Sequence, residues 1–91
     1  MTDTDPVTYE VEFQEWLVRA RGLSERPARD VVSRLRRVRR FVDEHRIVHE
    51  PHAWAYAINH TELSQCTTSV RSQLKRAVLA YQEFLQAKRP Q

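Results

Sequence analysis

The sequence has few of the residues that interrupt helices. It contains one glycine, Gly22, and four prolines, of which only Pro27 and Pro51 lie well inside the chain. Because glycine and proline are the strongest interruptions of regular structure, their scarcity favours an all-α fold. A glycine-rich phosphate-binding loop is excluded, since a single glycine cannot build one.

The chain also lacks a cysteine pair and a long apolar run. Its one cysteine, Cys66, cannot form an internal disulfide, which agrees with a reducing compartment. A membrane-spanning helix needs roughly 18 consecutive apolar residues, and no window approaches that length. Residues 1–6 have neither the basic start nor the apolar stretch of a secretory signal. We therefore expect a cytoplasmic protein without a membrane partner.

No arrangement typical of an enzyme can be recognised, whether Ser/His/Asp, Cys/His or a carboxylate pair. Four histidines and Cys66 are zinc-ligand types, but Pro51 breaks the helical register between them and their spacing follows no known metal pattern. We expect surface or interface histidines at His45, His49, His52 and His60. The sequence thus predicts no enzyme activity, no cofactor, no metal and no small-molecule substrate.

The length of 91 residues allows one hydrophobic core and is too short for two. We expect a frayed segment over residues 1–7 and a single domain of four or five helices over residues 8–89. The first helix is predicted to start near Thr8, with Glu10 and Glu12 placed at the positive end of its dipole. Its apolar stripe consists of Tyr9, Phe13, Trp16, Leu17 and Ala20.

Gly22 is typical of the left-handed residue that ends a helix. Ser24 is a good cap for a second helix, predicted to run for about 20 residues and to end within 43–46. Residues 47–51 are predicted to connect it to a short third helix over 51–60, and residues 61–66 form a second connector. Thr67 or Thr68 caps the last helix, which runs to about Lys88.

Charge is distributed unevenly along the chain. Residues 1–18 hold five acids and no base, whereas residues 19–46 hold ten arginines and four acids. Residues 47–91 hold five bases and three acids, and the formal net charge of the whole chain is +3. Basic charge concentrated on one segment is expected of a surface that meets phosphates.

Helical periodicity separates these arginines from the core of the second helix. Ala28, Leu35, Val38 and Val42 share one stripe, and Arg26, Arg29, Ser33, Arg36, Arg37 and Arg40 gather on the opposite side. Glu25, Asp30, Asp43 and Glu44 are expected to be too few to neutralise that side. Contact with nucleic acid, a solvated helix face, and an acidic protein or membrane surface are the alternatives that this pattern leaves open.

The start of the last helix is a second candidate for contact with phosphates. It combines hydroxyl groups, a helix N-terminus and cations. The residues are Thr68, Ser69, Arg71, Ser72, Lys75 and Arg76.

Several short motifs resemble the N-terminal core-binding domain of tyrosine recombinases and phage integrases, over most of the chain from about Tyr9 to Lys88. They are Phe13 with Trp16-Leu17, Arg21-Gly22-Leu23-Ser24, the basic run 34–41, and Thr68-Ser69, Ser72, Leu74, Arg76, Tyr81 and Phe84-Leu85. The resemblance implies a SAM-like helical bundle that forms half of a clamp around double-stranded DNA. In that family the second and fourth helices face the major groove.

The matching residues include none of the family's catalytic arginines, histidine or tyrosine nucleophile. Residues 25–28 also depart from the Thr and aromatic residue that the family has after the position of Ser24. The resemblance therefore implies non-catalytic binding to double-stranded DNA, together with a catalytic domain or recombinase as partner and association with the nucleoid. The alternative is a small helical adaptor that binds a protein through the acidic first helix, the arginine face or Leu79.

Overall fold

The computed structural model describes residues 6–88, and within that range the chain is helical with no strand. The helices are α1 (Pro6–Arg21), α2 (Glu25–Arg39), α3 (Glu44–His49), α4 (Ala53–Ala57), α5 (Thr61–Ser64) and α6 (Thr68–Lys88). The predicted all-α class is confirmed. Two long helices, α1 and α2, are thus followed by three short ones and then by the long α6.

The three long helices pack around one continuous core. α2 packs against both α1 and α6, and α3 and α4 also contact α6. Phe13 lies at the centre of an aromatic cluster, with its ring centroid 5.1 Å from that of Tyr81 and 5.4 Å from that of Phe84. Such ring pairs contribute about 0.5–1.5 kcal/mol each beyond their buried area. All three of these aromatic side chains are buried in the core.

The ends of α1 differ in how well the sequence predicts them. Gly22 has φ +68°, and the N–H of Leu23 donates to the carbonyl of Leu17 at 3.2 Å, so the predicted left-handed helix end is confirmed. The predicted start near Thr8 is two residues late, since α1 begins at Pro6. Of the segment predicted to be frayed, residues 1–5 lie outside the described residues. Ala20, placed on the apolar stripe, is exposed.

The second helix is shorter than predicted. It ends at Arg39 instead of within 43–46, because Asp43 begins another helix: its carboxylate accepts from the N–H of His45 at 3.5 Å. Val42 still reaches the core through the turn after Arg39 and is buried. Ser24 occupies the expected cap position, but its side chain makes no capping hydrogen bond.

Both predicted connectors contain helices. The first connector, residues 47–51, overlaps the end of α3, in which Ile47 is fully buried. The second connector, residues 61–66, contains α5, in which Leu63 is fully buried. Each of these side chains anchors a short helix to the core. A single anchored apolar residue produces no periodicity, which is why the pattern missed both helices.

Candidate nucleic-acid interface

The outer side of α2 carries the arginines that the sequence pattern selected. The buried residues of this helix are Ala28, Val32, Leu35 and Val38. The six residues predicted for the opposite side are all exposed, and these are Arg26, Arg29, Ser33, Arg36, Arg37 and Arg40. The predicted separation of an apolar and a cationic side is therefore confirmed.

An ion-pair network joins α2 to α1, α3 and α6. The carboxylate of Glu10 accepts from Arg36 Nε at 2.8 Å and from Arg39 Nη1 at 2.7 Å. Arg39 also donates to both oxygens of Glu44, from Nε at 2.7 Å and from Nη2 at 3.2 Å. The Tyr81 hydroxyl donates to Glu44 Oε1 at 2.6 Å. We call these five residues the ion-pair network.

The network is largely shielded from water at its centre. The side chains of Arg39 and Glu10 are 11% and 10% exposed, whereas that of Arg36 is 62% exposed. Burial by itself lowers the pKa of Arg39, but the hydrogen bonds and charge of Glu44 outweigh it, so this pKa lies above its usual value. Burial, and then the hydrogen bond to Glu44, raise the pKa of the Tyr81 hydroxyl. The network's two guanidinium groups and two carboxylates leave it with no formal charge.

This network corrects two expectations about charge. Glu10 was assigned to the dipole at the start of α1, yet it is the fifth residue of that helix and its carboxylate contacts α2. Glu12 forms an ion pair with Lys88 instead. The acids near α2 were expected to be too few to neutralise its arginines, but Glu10 comes from another helix and compensates Arg36. Arg36 therefore contributes less free positive charge than the sequence suggested.

At the start of α6, neighbouring hydroxyl groups have different partners. Thr67 is the cap, because its Oγ1 accepts from the N–H of Val70 at 3.2 Å. The Oγ1 of Thr68 accepts from Arg71 Nη2 at 3.4 Å. Of the residues of α6 predicted to contact phosphate, Arg71 is half-buried. The others are exposed, and these are Thr68, Ser69, Ser72, Lys75 and Arg76.

Two observations place arginines of α2 close to α6, which packs against α2. Arg37 Nη2 donates to Cys66 Sγ at 3.3 Å, two residues before α6 begins. Arg34 and Arg76 line the same groove between α2 and α6. The two regions selected separately from the sequence are therefore adjacent. We define the cationic surface as Arg26, Arg29, Arg37, Arg40, Lys75 and Arg76.

The charge of the cationic surface is not compensated within the described part of the chain. In residues 6–88, no carboxylate lies at ion-pair distance from any of its six members. Two other surface arginines do have carboxylate partners: Arg21 pairs with Glu83, and Arg46 Nη1 lies 3.5 Å from Glu50. The cationic surface differs from these paired arginines, although Arg19 on α1 is likewise exposed with no carboxylate at ion-pair distance in that range.

A groove between α4 and α6 extends this region. Its walls include the half-buried Trp54 and Ile58 on one side and Thr68, Arg71, Ser72 and Lys75 on the other. Hydroxyl groups and cations beside an apolar wall suit a sugar-phosphate backbone, which has a charged and an apolar part.

The histidines and the cysteine occupy separate places. Cys66 is half-buried beside Arg37, and its thiol donates to the carbonyl of Glu62 at 3.4 Å. Within residues 6–88 there is no group of three or more His, Cys, Asp or Glu side chains arranged to hold a metal ion. The rings of His45 and His49 lie 4.4 Å apart between centroids on α3.

No helix among residues 6–88 combines the length and the apolar character needed to cross a bilayer.

Sequence reasoning missed the ion-pair network, although both of its central charges carry a signal. Arg39 lies four and seven residues after Leu35 and Val32, and Glu10 lies three and seven residues before Phe13 and Leu17. Each charge thus occupies a position of an apolar stripe. An acid on one stripe and a base on another predict a buried pair, because neither could be buried alone.

Comparisons of the chain with models of protein families, with curated proteins and with solved structures found no significant match.

Proposed function

We propose that this chain is a non-catalytic module that binds double-stranded DNA through the cationic surface. The observation that carries the proposal is the set of six exposed cations without a carboxylate partner in residues 6–88, carried by α2, by Arg40 directly after it, and by α6, which packs against α2. When basic side chains replace the counterions condensed on DNA, the release of those counterions contributes directly to affinity. Like charges on packed helices repel one another, so an anionic partner also relieves an unfavourable arrangement.

The types of residue favour a nucleic acid over other anions. Five of the six members in α2 and α6 are arginines, whose planar donors suit bidentate contact with phosphate and with guanine. Thr68, Ser69 and Ser72 add hydroxyl donors next to Arg71. Phosphate contacts from such groups would fix the orientation of α2 in a groove, where its outer arginines reach base edges.

The resemblance to the core-binding domain of tyrosine recombinases supports the same proposal. In that family the second and fourth helices meet the major groove, and α2 and α6 correspond to them here. We therefore assign the bundle to the SAM-like type, with strand cleavage supplied by a separate catalytic domain or recombinase and with binding at the nucleoid. Arg36 contributes to binding only through the part of its charge that Glu10 leaves free.

The test is the affinity for a labelled DNA duplex, measured by fluorescence anisotropy at several salt concentrations. Four to six phosphate contacts predict that log K falls with log salt with a slope of about −4 to −5. An acidic polypeptide of equal charge serves as the control and is expected to bind more weakly. Absence of duplex binding at low salt, or a slope near zero, would overturn the proposal.

A second candidate function is that of a protein adaptor, and one observation favours it. Leu79 is 42% exposed and lines the groove between α2 and α6 with the half-buried Leu23 and Val31. Arg34 and Arg76 flank these apolar residues, so the groove suits an acidic amphipathic segment. A complex that survives nuclease treatment, and that Leu79→Asp disrupts while Arg29→Ala does not, would favour this function over DNA binding.

A further inference from the structure

α3 holds two imidazole rings side by side on its exposed surface. His45 and His49 are four residues apart, both are exposed, and their ring centroids are 4.4 Å apart. Residues at this spacing lie one above the other on a helix. Although the four histidines and Cys66 as a set follow no known metal pattern, this one spacing is that of two histidine ligands on one helix in zinc enzymes.

The distance between the rings fits a shared metal ion. A histidine nitrogen binds zinc at about 2.0–2.1 Å, which puts the ring centre about 3.2 Å from the ion. Two rings that bind at an angle of about 90–110° then have centroids about 4.5–5.2 Å apart. The observed 4.4 Å reaches that range after a small rotation of either side chain.

The helix that carries the pair is held at both ends, so the backbone that sets the spacing of the two histidines is fixed before any ion arrives. At its start, Glu44 accepts hydrogen bonds from Arg39 and Tyr81. At its end, Gln82 Nε2 donates to the carbonyls of Ile47 and Glu50, at 3.1 Å and 3.0 Å. The ion-pair network thereby also fixes the scaffold of the histidine pair.

The nearest cation in the helix has other partners. The guanidinium carbon of Arg46 lies 4.2 Å from the centroid of the Tyr56 ring, and its Nη1 lies 3.5 Å from Glu50. Both contacts offset the repulsion that its charge would exert on a bound ion.

We propose that His45 and His49 form a two-ligand site for a borderline divalent transition-metal ion such as Zn²⁺ or Ni²⁺. Imidazole is a preferred ligand for these ions. Because no third His, Cys, Asp or Glu ligand joins the pair within residues 6–88, water completes the coordination, and the ion keeps open positions for an external donor. Arg46 stands where hydrolytic zinc enzymes with this spacing have a glutamate, so the site binds without hydrolysis.

The test is calorimetric titration of the untagged full chain with Zn²⁺ and, separately, with Ni²⁺. The chain carries Cys66→Ser throughout, which removes the competing thiol. We expect one ion per chain, a higher thermal midpoint with the ion, and at least tenfold weaker binding in His45→Ala and in His49→Ala. The matched control is His52→Ala with His60→Ala, which removes two histidines outside the pair and is expected to bind within twofold of the parent.

His49→Gln, which keeps a long polar side chain on α3, separates loss of a ligand from loss of the helix, and circular dichroism verifies the fold of each variant. A folded His49→Gln that binds as tightly as the parent would overturn the proposal. So would the absence of saturable binding at millimolar metal. The site does not depend on DNA binding, so the two proposals can fail separately.

Discussion

The two sides of α2 place the same residue type in opposite surroundings. On the side facing α1, Arg39 meets Glu10 and Glu44 and its side chain is only 11% exposed. On the side facing solvent, Arg29 and Arg40 are exposed, with no carboxylate at ion-pair distance in the described range 6–88. The difference teaches that a count of arginines overstates the charge available to a ligand. The charge that remains available depends on where the acidic residues of neighbouring helices lie.

The two sides also perform different physical tasks. A buried pair gains little net stability over an apolar contact, but losing one partner leaves a stranded charge, so the pair enforces one arrangement of the helices. An exposed, unpaired arginine does little for stability and remains free to bind an anion. Substitutions on the two sides should therefore change different measurements.

The largest expected effect comes from Arg39→Ala on the side facing α1. It leaves Glu10 with only the exposed Arg36 and Glu44 with only the Tyr81 hydroxyl, and breaking a buried pair costs about 3–5 kcal/mol. Because the site has an accessible edge, we expect the free energy of unfolding to fall by about 3 kcal/mol. Urea unfolding followed by circular dichroism measures it. The control, Arg40→Ala, should change stability by less than about 0.5 kcal/mol. Equal effects of the two variants would contradict the distinction between the sides.

Glu10→Gln tests whether the carboxylate of Glu10 compensates the arginines on the side of α2 that faces α1. Hydrogen bonds to charged groups contribute about 1.5–3 kcal/mol, and Arg39 keeps Glu44, so we expect a loss near 2 kcal/mol. The variant also frees the charge of Arg36, which should make the salt slope of DNA binding steeper by about 1. Glu12→Gln, which breaks the more exposed pair with Lys88, should cost well under 1 kcal/mol. Indistinguishable stabilities of the two variants would remove Glu10 from its special role.

Alkaline pH should lower the free energy of unfolding through Tyr81. Its hydroxyl pKa is raised in the folded chain, so above the unfolded value of 10.0 only the unfolded state loses this proton. Stability is then fully present below pH 10 and falls above it, by up to about 1.4 kcal/mol per pH unit from this group. Unfolding measured from pH 9 to 11 should show a shallower decline in Tyr81→Phe than in Tyr56→Phe, which alters an exposed tyrosine. Identical declines would mean that Tyr81 does not couple to folding.

The smallest expected effects are those of substitutions at two adjacent threonines at the start of α6. Thr67→Val removes the cap and should lower stability by about 1 kcal/mol. Thr68→Val loses only a long hydrogen bond from Arg71 and should stay within about 0.5 kcal/mol, while weakening DNA binding slightly. Thermal unfolding and anisotropy measure the two effects. A reversed order would assign the cap to Thr68.

The sequence predicted the helices whose apolar residues recur with a regular spacing. The stripes of α1 and α2 recur over several turns, and Gly22 marks a helix end that needs a positive φ. The exposure of the α2 arginines followed from the same periodicity. The short helices α3 and α5 could not be predicted in this way, because each depends on one buried side chain, Ile47 or Leu63.

The charge balance of the site was harder to predict than its exposure. Arg36 and Arg40 look alike from the sequence of α2, and only the packing of α1 brings Glu10 to one and not to the other. The contact between Arg37 and Cys66 likewise joins residues that are 29 positions apart. Such contacts depend on how helices cross, which periodicity within one helix does not determine.

The most direct test of the central claim compares two double variants that remove the same charge. Arg29→Ala with Arg40→Ala alters the uncompensated side of α2, whereas Arg21→Ala with Arg46→Ala removes two arginines that pair with Glu83 and Glu50. The measurement is the salt dependence of affinity for one DNA duplex. We predict that the first variant loses about 2 from the salt slope while the second keeps the wild-type slope. Equal losses in both variants would show that net charge alone matters and would contradict a localised DNA-binding surface.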